Sequence, residues 1–268
     1  MAAQMNPIPE EAHRRAQELL TRWRIPQEFM AELIEHRASV AFPKGESIFL
    51  QGSTADVGYW ILSGLVKVYF PLPDGTRVIV RVAGPGDFLG VIDSVGMNGR
   101  RTQAFEAEAM SKVSLSIFTR DHVLAMLKTM TPQALVALLE DVNTTWSEVF
   151  SWCAKFLGLP FRDRLQWILQ HLASRFGVRD SRGILLTPEL SHDDLAEMIA
   201  SSRPMVSRLV AEFIERGELA RQGKHYILIN GAATNPVRPV ALASKATRAP
   251  VREHAVARVE PLARQARM

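Results

Sequence analysis

Residues 191–216 read Ser-His-Asp-Asp-Leu-Ala-Glu-Met-Ile-Ala-Ser-Ser-Arg-Pro-Met-Val-Ser-Arg-Leu-Val-Ala-Glu-Phe-Ile-Glu-Arg. This stretch decides the fold, because it spells two short helices around a tight turn. Ser191 is suited to cap the first helix, and Asp193 and Asp194 fall in its first turn, where the helix dipole favours negative charge. Leu195, Met198 and Ile199 then recur at helical spacing, while Ala196 and Ala200 are small where two helices must cross closely. Ser202 is placed to cap the second helix, with Pro204 in its first turn, where a missing N–H costs little. Val206, Leu209, Val210 and Phe213 form a buried stripe at i, i+3, i+4, i+7. Arg203, Ser207 and Arg208 therefore face away from the core. An arginine so placed can grip guanine O6 and N7 together, worth about 1–3 kcal/mol of base discrimination.

Past Gly217, the runs Glu218–Arg221 and His225–Ile229 flank a Gln222-Gly223-Lys224 turn. A small β-wing fits that pattern and would lay Lys224 beside a phosphate. The pairing of helical hairpin and wing predicts a winged helix over 159–230, with double-stranded DNA as its partner.

Upstream the texture changes. From 40 to 118 the chain has short β-rich runs at Ile48–Leu50, Gly58–Leu62, Leu65–Phe70, Arg77–Val82, Phe88–Val91, Gln103–Ala107 and Lys112–Phe118. Glycine turns at Gly52, Ser63-Gly64, Asp74-Gly75 and Gly84-Pro85-Gly86 punctuate them. Many short strands at regular spacing predict a β-roll or jelly roll over 40–130. A long helix follows over 131–158, with a seam at Leu135, Leu138, Val142, Thr145, Val149, Trp152 and Phe156, alternating spacings of three and four. That two-per-heptad pattern predicts a homodimer paired through this helix, with Thr145 as a polar position that fixes register or meets a ligand. Residues 1–39 read as N-terminal helices, broken at Pro26, and 231–268 as a basic tail without periodicity, read as disordered. The expected class is α+β: an N-terminal β-roll sensor domain, a long dimerisation helix and a C-terminal winged helix-turn-helix.

Composition narrows the function classes. The chain has 268 residues, 32 basic and 28 acidic, for a net charge of +4. Residues 231–268 alone carry +5, so residues 1–230 sum to −1. Overall basicity is thus no argument for DNA; the placement of Arg203 and Arg208 is. A single cysteine, Cys153, leaves no intramolecular disulfide, and seven scattered histidines offer no metal-ligand spacing. No apolar run reaches the ~20 residues that span a bilayer, and the N-terminus lacks an export signal, so a cytoplasmic protein without a membrane partner is expected. No phosphate loop, nucleophile elbow or metal dyad suggests an enzyme. The carboxylates read as residues of helix surfaces and turns, explained by capping and solvation.

The order of roll, long helix and winged helix-turn-helix resembles the CRP/FNR family of bacterial transcription regulators over about residues 28–230. Phe42-Pro43-Lys44-Gly45-Glu46, Gln51-Gly52, Trp60-Ile61-Leu62-Ser63-Gly64 and Gly84-Pro85-Gly86-Asp87-Phe88-Leu89-Gly90 are similar to that family's cyclic-nucleotide-binding fold. The resemblance implies a homodimer on a two-fold symmetric operator, RNA polymerase as a further partner, and no required cofactor beyond a small effector in the roll. It places a phosphate-binding pair on Arg101-Thr102, after the turn at Gly90, where a guanidinium fork and a hydroxyl suit a phosphate diester. Thr145 is the nearest candidate contact from the long helix.

Two positions depart from the family pattern. The glutamate that meets the ribose in cAMP-binding members falls on Val91, and losing a charged hydrogen bond of about 1.5–3 kcal/mol would weaken a ribose ligand roughly ten- to hundredfold. The effector is therefore open between cAMP, another nucleotide, a non-nucleotide ligand and none. In the reading helix the family's glutamate is Pro204, so the operator should differ at the base that a carboxylate would read. A rival reading keeps the nucleotide-binding roll but has the C-terminal module dock a protein.

Overall fold

The computed structural model describes residues 38–91, 93 and 101–229, together with Arg14, Glu18 and Thr21. The helices expected within 1–39 fall outside the described residues apart from those three positions and Ala38 and Ser39, which open a strand instead, and the tail over 231–268 falls wholly outside them.

Alternating apolar residues and glycine turns close the first part into two antiparallel four-stranded sheets. One has the order β1 (Ala38–Phe42), β8 (Val113–Thr119), β3 (Val57–Ser63), β6 (Phe88–Leu89). The other runs β2 (Ser47–Phe49), β7 (Glu106–Ala109), β4 (Val66–Pro71), β5 (Arg77–Ala83). Ile61, Val66, Val80, Ala107, Ala109 and Leu115 fill the space between them. The expected runs are present with shifted ends. The run placed at Gln103–Ala107 begins at Glu106, because Gln103 instead bonds the Ser53 backbone across a loop. At Gly64 a side chain would drive its Cβ to 2.2 Å from the Lys112 carbonyl, and φ is +85°, so only glycine serves there.

A short helix, α1 (Arg120–Thr129), follows the roll and was not foreseen in the sequence; Thr119 caps it. The long helix is α2 (Pro132–Gly158), started by the Thr131 side chain accepting from Ala134 N. Helix α3 (Phe161–Phe176) leads into β9 (Gly177–Asp180) and β10 (Gly183–Leu186), two strands the sequence reading also missed. They join the wing strands β11 (Leu219–Gln222) and β12 (His225–Ile229) in the sheet order β11-β12-β10-β9. Between them lie α4 (His192–Met198) and α5 (Arg203–Glu215).

The core does not stop at the end of the roll. Tyr69, Ile79 and Val82 share one apolar cluster with Leu165, Leu169 and Leu172 of α3 and Leu195 and Met198 of α4. Trp152 of α2 is 1% exposed in that cluster, and its Nε1 donates to the Met198 carbonyl at 3.1 Å.

That burial reaches into the expected dimer seam. Val149 and Phe156 pack on the roll core, Leu135 and Leu138 on the cluster at the start of α2, and Trp152 faces inward. The apolar residues left in the open are Val136, Leu139, Phe150 and Leu157, the last 92% exposed. With exposed Asn143 and the half-buried Trp146 and Cys153, they repeat the same three-four spacing one residue later. The helix is apolar along two adjacent stripes: the first gives Val149, Trp152 and Phe156 to the chain's own core, and the second gives it Cys153 and the Trp146 ring.

Candidate functional site

The helix pair forms as its local sequence dictates. Ser191 and Asp194 make a reciprocal capping box: Asp194 N donates to Ser191 Oγ at 3.0 Å, and Ser191 N to Asp194 Oδ2 at 3.0 Å. Ser202 occupies the N-cap position of α5, but its side chain makes no capping hydrogen bond. Val206, Leu209, Val210 and Phe213 are buried, as their spacing requires. Gly217 at φ +66° ends the helix: its N–H reaches the Ile214 carbonyl at 3.0 Å, and Glu218 N the Phe213 carbonyl at 2.9 Å. In the turn between the helices Ala200 takes φ +50°, a left-handed conformation that costs a residue with a Cβ about 1–2 kcal/mol.

Ser202, Arg203, Ser207 and Arg208 are all exposed on the first turns of α5, and Lys224 is exposed at the wing tip. The side-chain partners of these groups are themselves on the surface. Arg203 lies 3.8 Å from Asp193, and Lys224 lies 3.4 Å from Glu189. Arg208 meets the Met205 thioether at 2.9 Å. Such exposed pairs are worth at most about 1 kcal/mol and give way readily to a stronger anion. His192 Nδ1 and Ser207 Oγ share a hydrogen bond of 2.8 Å. Burial, with Arg221 and Arg203 nearby, pulls the His192 imidazole below its ordinary value. The surface is positive and set on the first turns of a helix, which suits a groove lined by acceptors.

The residues proposed for an effector are less convergent. Arg101 and Thr102 are exposed; Arg101 pairs with Asp56 at 3.1 Å, and Thr102 bridges Thr54. Gly90 is at φ +67°, and a Cβ there would press on the Gln103 amide at 3.0 Å. Val91 packs on Trp60, Leu62, Phe118 and Val123. Thr145 is half-buried and directly precedes Trp146, whose ring meets Phe105 of the roll at 5.8 Å. A cyclic nucleotide needs a carboxylate for its ribose and a free guanidinium for its phosphate. Val91 supplies no carboxylate, while the Arg101–Asp56 pair is exposed and of the kind that gives way to a stronger anion.

Sequence reasoning missed the charges that join roll and winged helix. Lys67 and Asp194, each only 8% exposed, meet at 3.0 Å, and Lys67 also meets Glu108 at 3.0 Å. Asp87 holds Arg175 of α3 at 2.7 Å and Arg81 at 3.3 Å. Asp87 and Asp194 do serve a turn and a helix cap, as expected of the carboxylates, but they are buried and ion-paired rather than solvated. Their partners lie 88 and 127 residues away, beyond any local pattern.

Among the described residues no group of three or more His, Cys, Asp or Glu side chains could hold a metal ion, and no helix is long and apolar enough to cross a membrane. The Cyclic nucleotide-binding domain family matches residues 39–130, and the Crp-like helix-turn-helix domain family matches residues 163–233. A CRP-like cAMP-activated global transcriptional regulator of Mycobacterium tuberculosis is 27% identical over 199 residues, 74% of this chain and 87% of its own. Transcriptional regulator LdrP of Thermus thermophilus is 29% identical over 193 residues, 72% of this chain and 92% of its own. Among solved structures, TTHB099, a CRP-family regulator from Thermus thermophilus, superposes with a TM-score of 0.59 at 27% identity, covering 72% of this chain and 93% of that one. The same two modules in the same order, with an exposed basic reading helix and relatives that are regulators rather than enzymes, make this chain a transcription regulator of the CRP/FNR family.

Proposed function

We propose that the chain works as a homodimer on a two-fold symmetric operator, with Arg203, Ser207 and Arg208 reading base edges and Ser202 and Lys224 holding phosphates. The observation that carries this reading is the division of α5 into a fully buried apolar stripe and an exposed basic face. Arg208 is the principal base reader: it is exposed, and among the described residues its hydrogen-bond partner is a thioether. Pro204 offers no acceptor to cytosine N4, so the half-site departs from one read by a glutamate there. The second copy docks along Val136, Leu139, Trp146, Phe150 and Leu157, and the two recognition helices then enter successive major grooves about 34 Å apart.

The roll is the place for a small effector. Although the mycobacterial relative is described as cAMP-activated, the Val91 substitution favours control that does not need cAMP. Selection of duplexes from a random pool, with and without cAMP at fixed salt, tests both points. One symmetric motif should emerge in both arms. A motif that requires cAMP would overturn the effector reading. Protein capture with no duplex preference would favour the protein-docking alternative.

A further inference from the structure

The contact between β4–β5 and α4 is charged where an apolar one would hold as well. Lys67 on β4 lies across from Glu108 on β7, and its ammonium reaches past that carboxylate to Asp194. One strand over, Arg77 lies on the Tyr69 ring at 4.5 Å and forks between Glu108 at 2.9 Å and Glu197 at 3.2 Å. Asp194 and Glu197 are three residues apart, on one face of α4. The roll thus grips that helix at its first turn and again one turn on.

Buried ion pairs of this kind contribute little net stability, because desolvation offsets most of the attraction. What they supply is a defined geometry: two cations and three carboxylates satisfy one another in one arrangement. Asp194 ties this to the helix-turn-helix itself, since Oδ1 takes Lys67 while Oδ2 takes the Ser191 cap. In the gripped state Arg203, Ser207 and Arg208 stay exposed, so the contact does not cover the reading face.

We propose that Lys67 and Arg77 are positioning residues for DNA reading: by holding Asp194 and Glu197 they fix the angle at which α5 is presented to the duplex. This rests on the reading of the chain as a dimer on paired half-sites. Two recognition helices at a fixed separation gain specific affinity only if each is held rigidly. Non-specific attraction to phosphates tolerates loose attachment.

The test uses the full chain, the selected operator duplex and an unrelated duplex of equal length at one salt concentration. Lys67→Met keeps the side-chain stem and removes the charge. It should weaken operator binding about tenfold and leave the unrelated duplex within twofold. Lys67→Arg should restore most of the loss, and Asp194→Asn should add little on top of Lys67→Met. An unchanged or strengthened operator affinity, or an equal fall on both duplexes, would overturn the proposal. Should Lys67→Met fail to fold, the more exposed Arg77→Gln and Glu197→Gln decide it: the same split at about threefold supports the grip, and no split refutes it. Wild-type protein that selects no symmetric operator would instead refute the underlying dimer reading.

Discussion

Helices α2 and α5 are both built on a buried apolar stripe, but they differ in what they turn outward. Helix α5 buries Val206, Leu209, Val210 and Phe213 and exposes Arg203, Ser207 and Arg208. Helix α2 buries Ala134 and Trp152 and exposes Val136, Leu139, Phe150 and Leu157. Water accepts the first surface and rejects the second. A contiguous apolar strip on a long helix needs another apolar surface, whereas an exposed basic face is complete until a polyanion arrives. The contrast fits the proposed partners: protein for α2, nucleic acid for α5.

The largest effect should come from breaking the outer face of α2. Phe150→Lys with Leu157→Lys removes four large side chains from a dimer, roughly 6 kcal/mol or more of burial. Sedimentation should then show a folded monomer at micromolar concentration; a persistent dimer would mean the outer face is not the interface. The inner face should behave differently. Trp152→Ala should lower stability by about 3–5 kcal/mol, seen in denaturant unfolding of whatever oligomer remains. Should it dissociate the dimer without destabilising the fold, the assignment of faces would be reversed.

Changes on α5 and its surroundings are smaller. Arg208→Ala should cost about 1–3 kcal/mol on the operator and much less on unrelated DNA, measured by competition binding. Unchanged selectivity would move base reading elsewhere. Acid should act on the grip beneath α4. Burial pushes the Asp194 carboxyl up, but the Ser191 hydrogen bonds and the Lys67 charge outweigh it and hold the group below its ordinary range. A lowered carboxyl stabilises the fold at neutral pH and loses that contribution as pH falls through its folded value. The α4 amides should therefore keep their hydrogen-exchange protection at neutral pH and lose it below about pH 4. Smallest of all, Ala200→Gly should raise stability by up to about 1 kcal/mol by relieving the positive φ.

The same contrast explains what could be read from sequence. The second helix of the pair declares itself locally: cap position, stripe and terminating glycine all lie within sixteen consecutive residues, Ser202–Gly217. The faces of α2 do not. Leu135 to Phe156 and Val136 to Leu157 carry the same three-four rhythm, and only the packing of the roll against the helix decides what each gives to the core. The strands at 177–186 were hidden by their brevity and by polar residues such as Arg179 and Asp180. Resemblance proposed a phosphate pair in the roll, but not that Arg101 bonds Asp56, a pairing forty-five residues apart that no motif encodes. Lys67 and Asp87 were invisible for the same reason. Their meaning lies in helices far along the chain.

The most direct test of the assignment of α2 to protein and α5 to DNA is the stoichiometry and footprint of the complex on its selected operator. Two chains per duplex, with two protected major-groove patches about 34 Å apart, is the result the division of faces predicts. One chain per duplex with a single protected patch would contradict it.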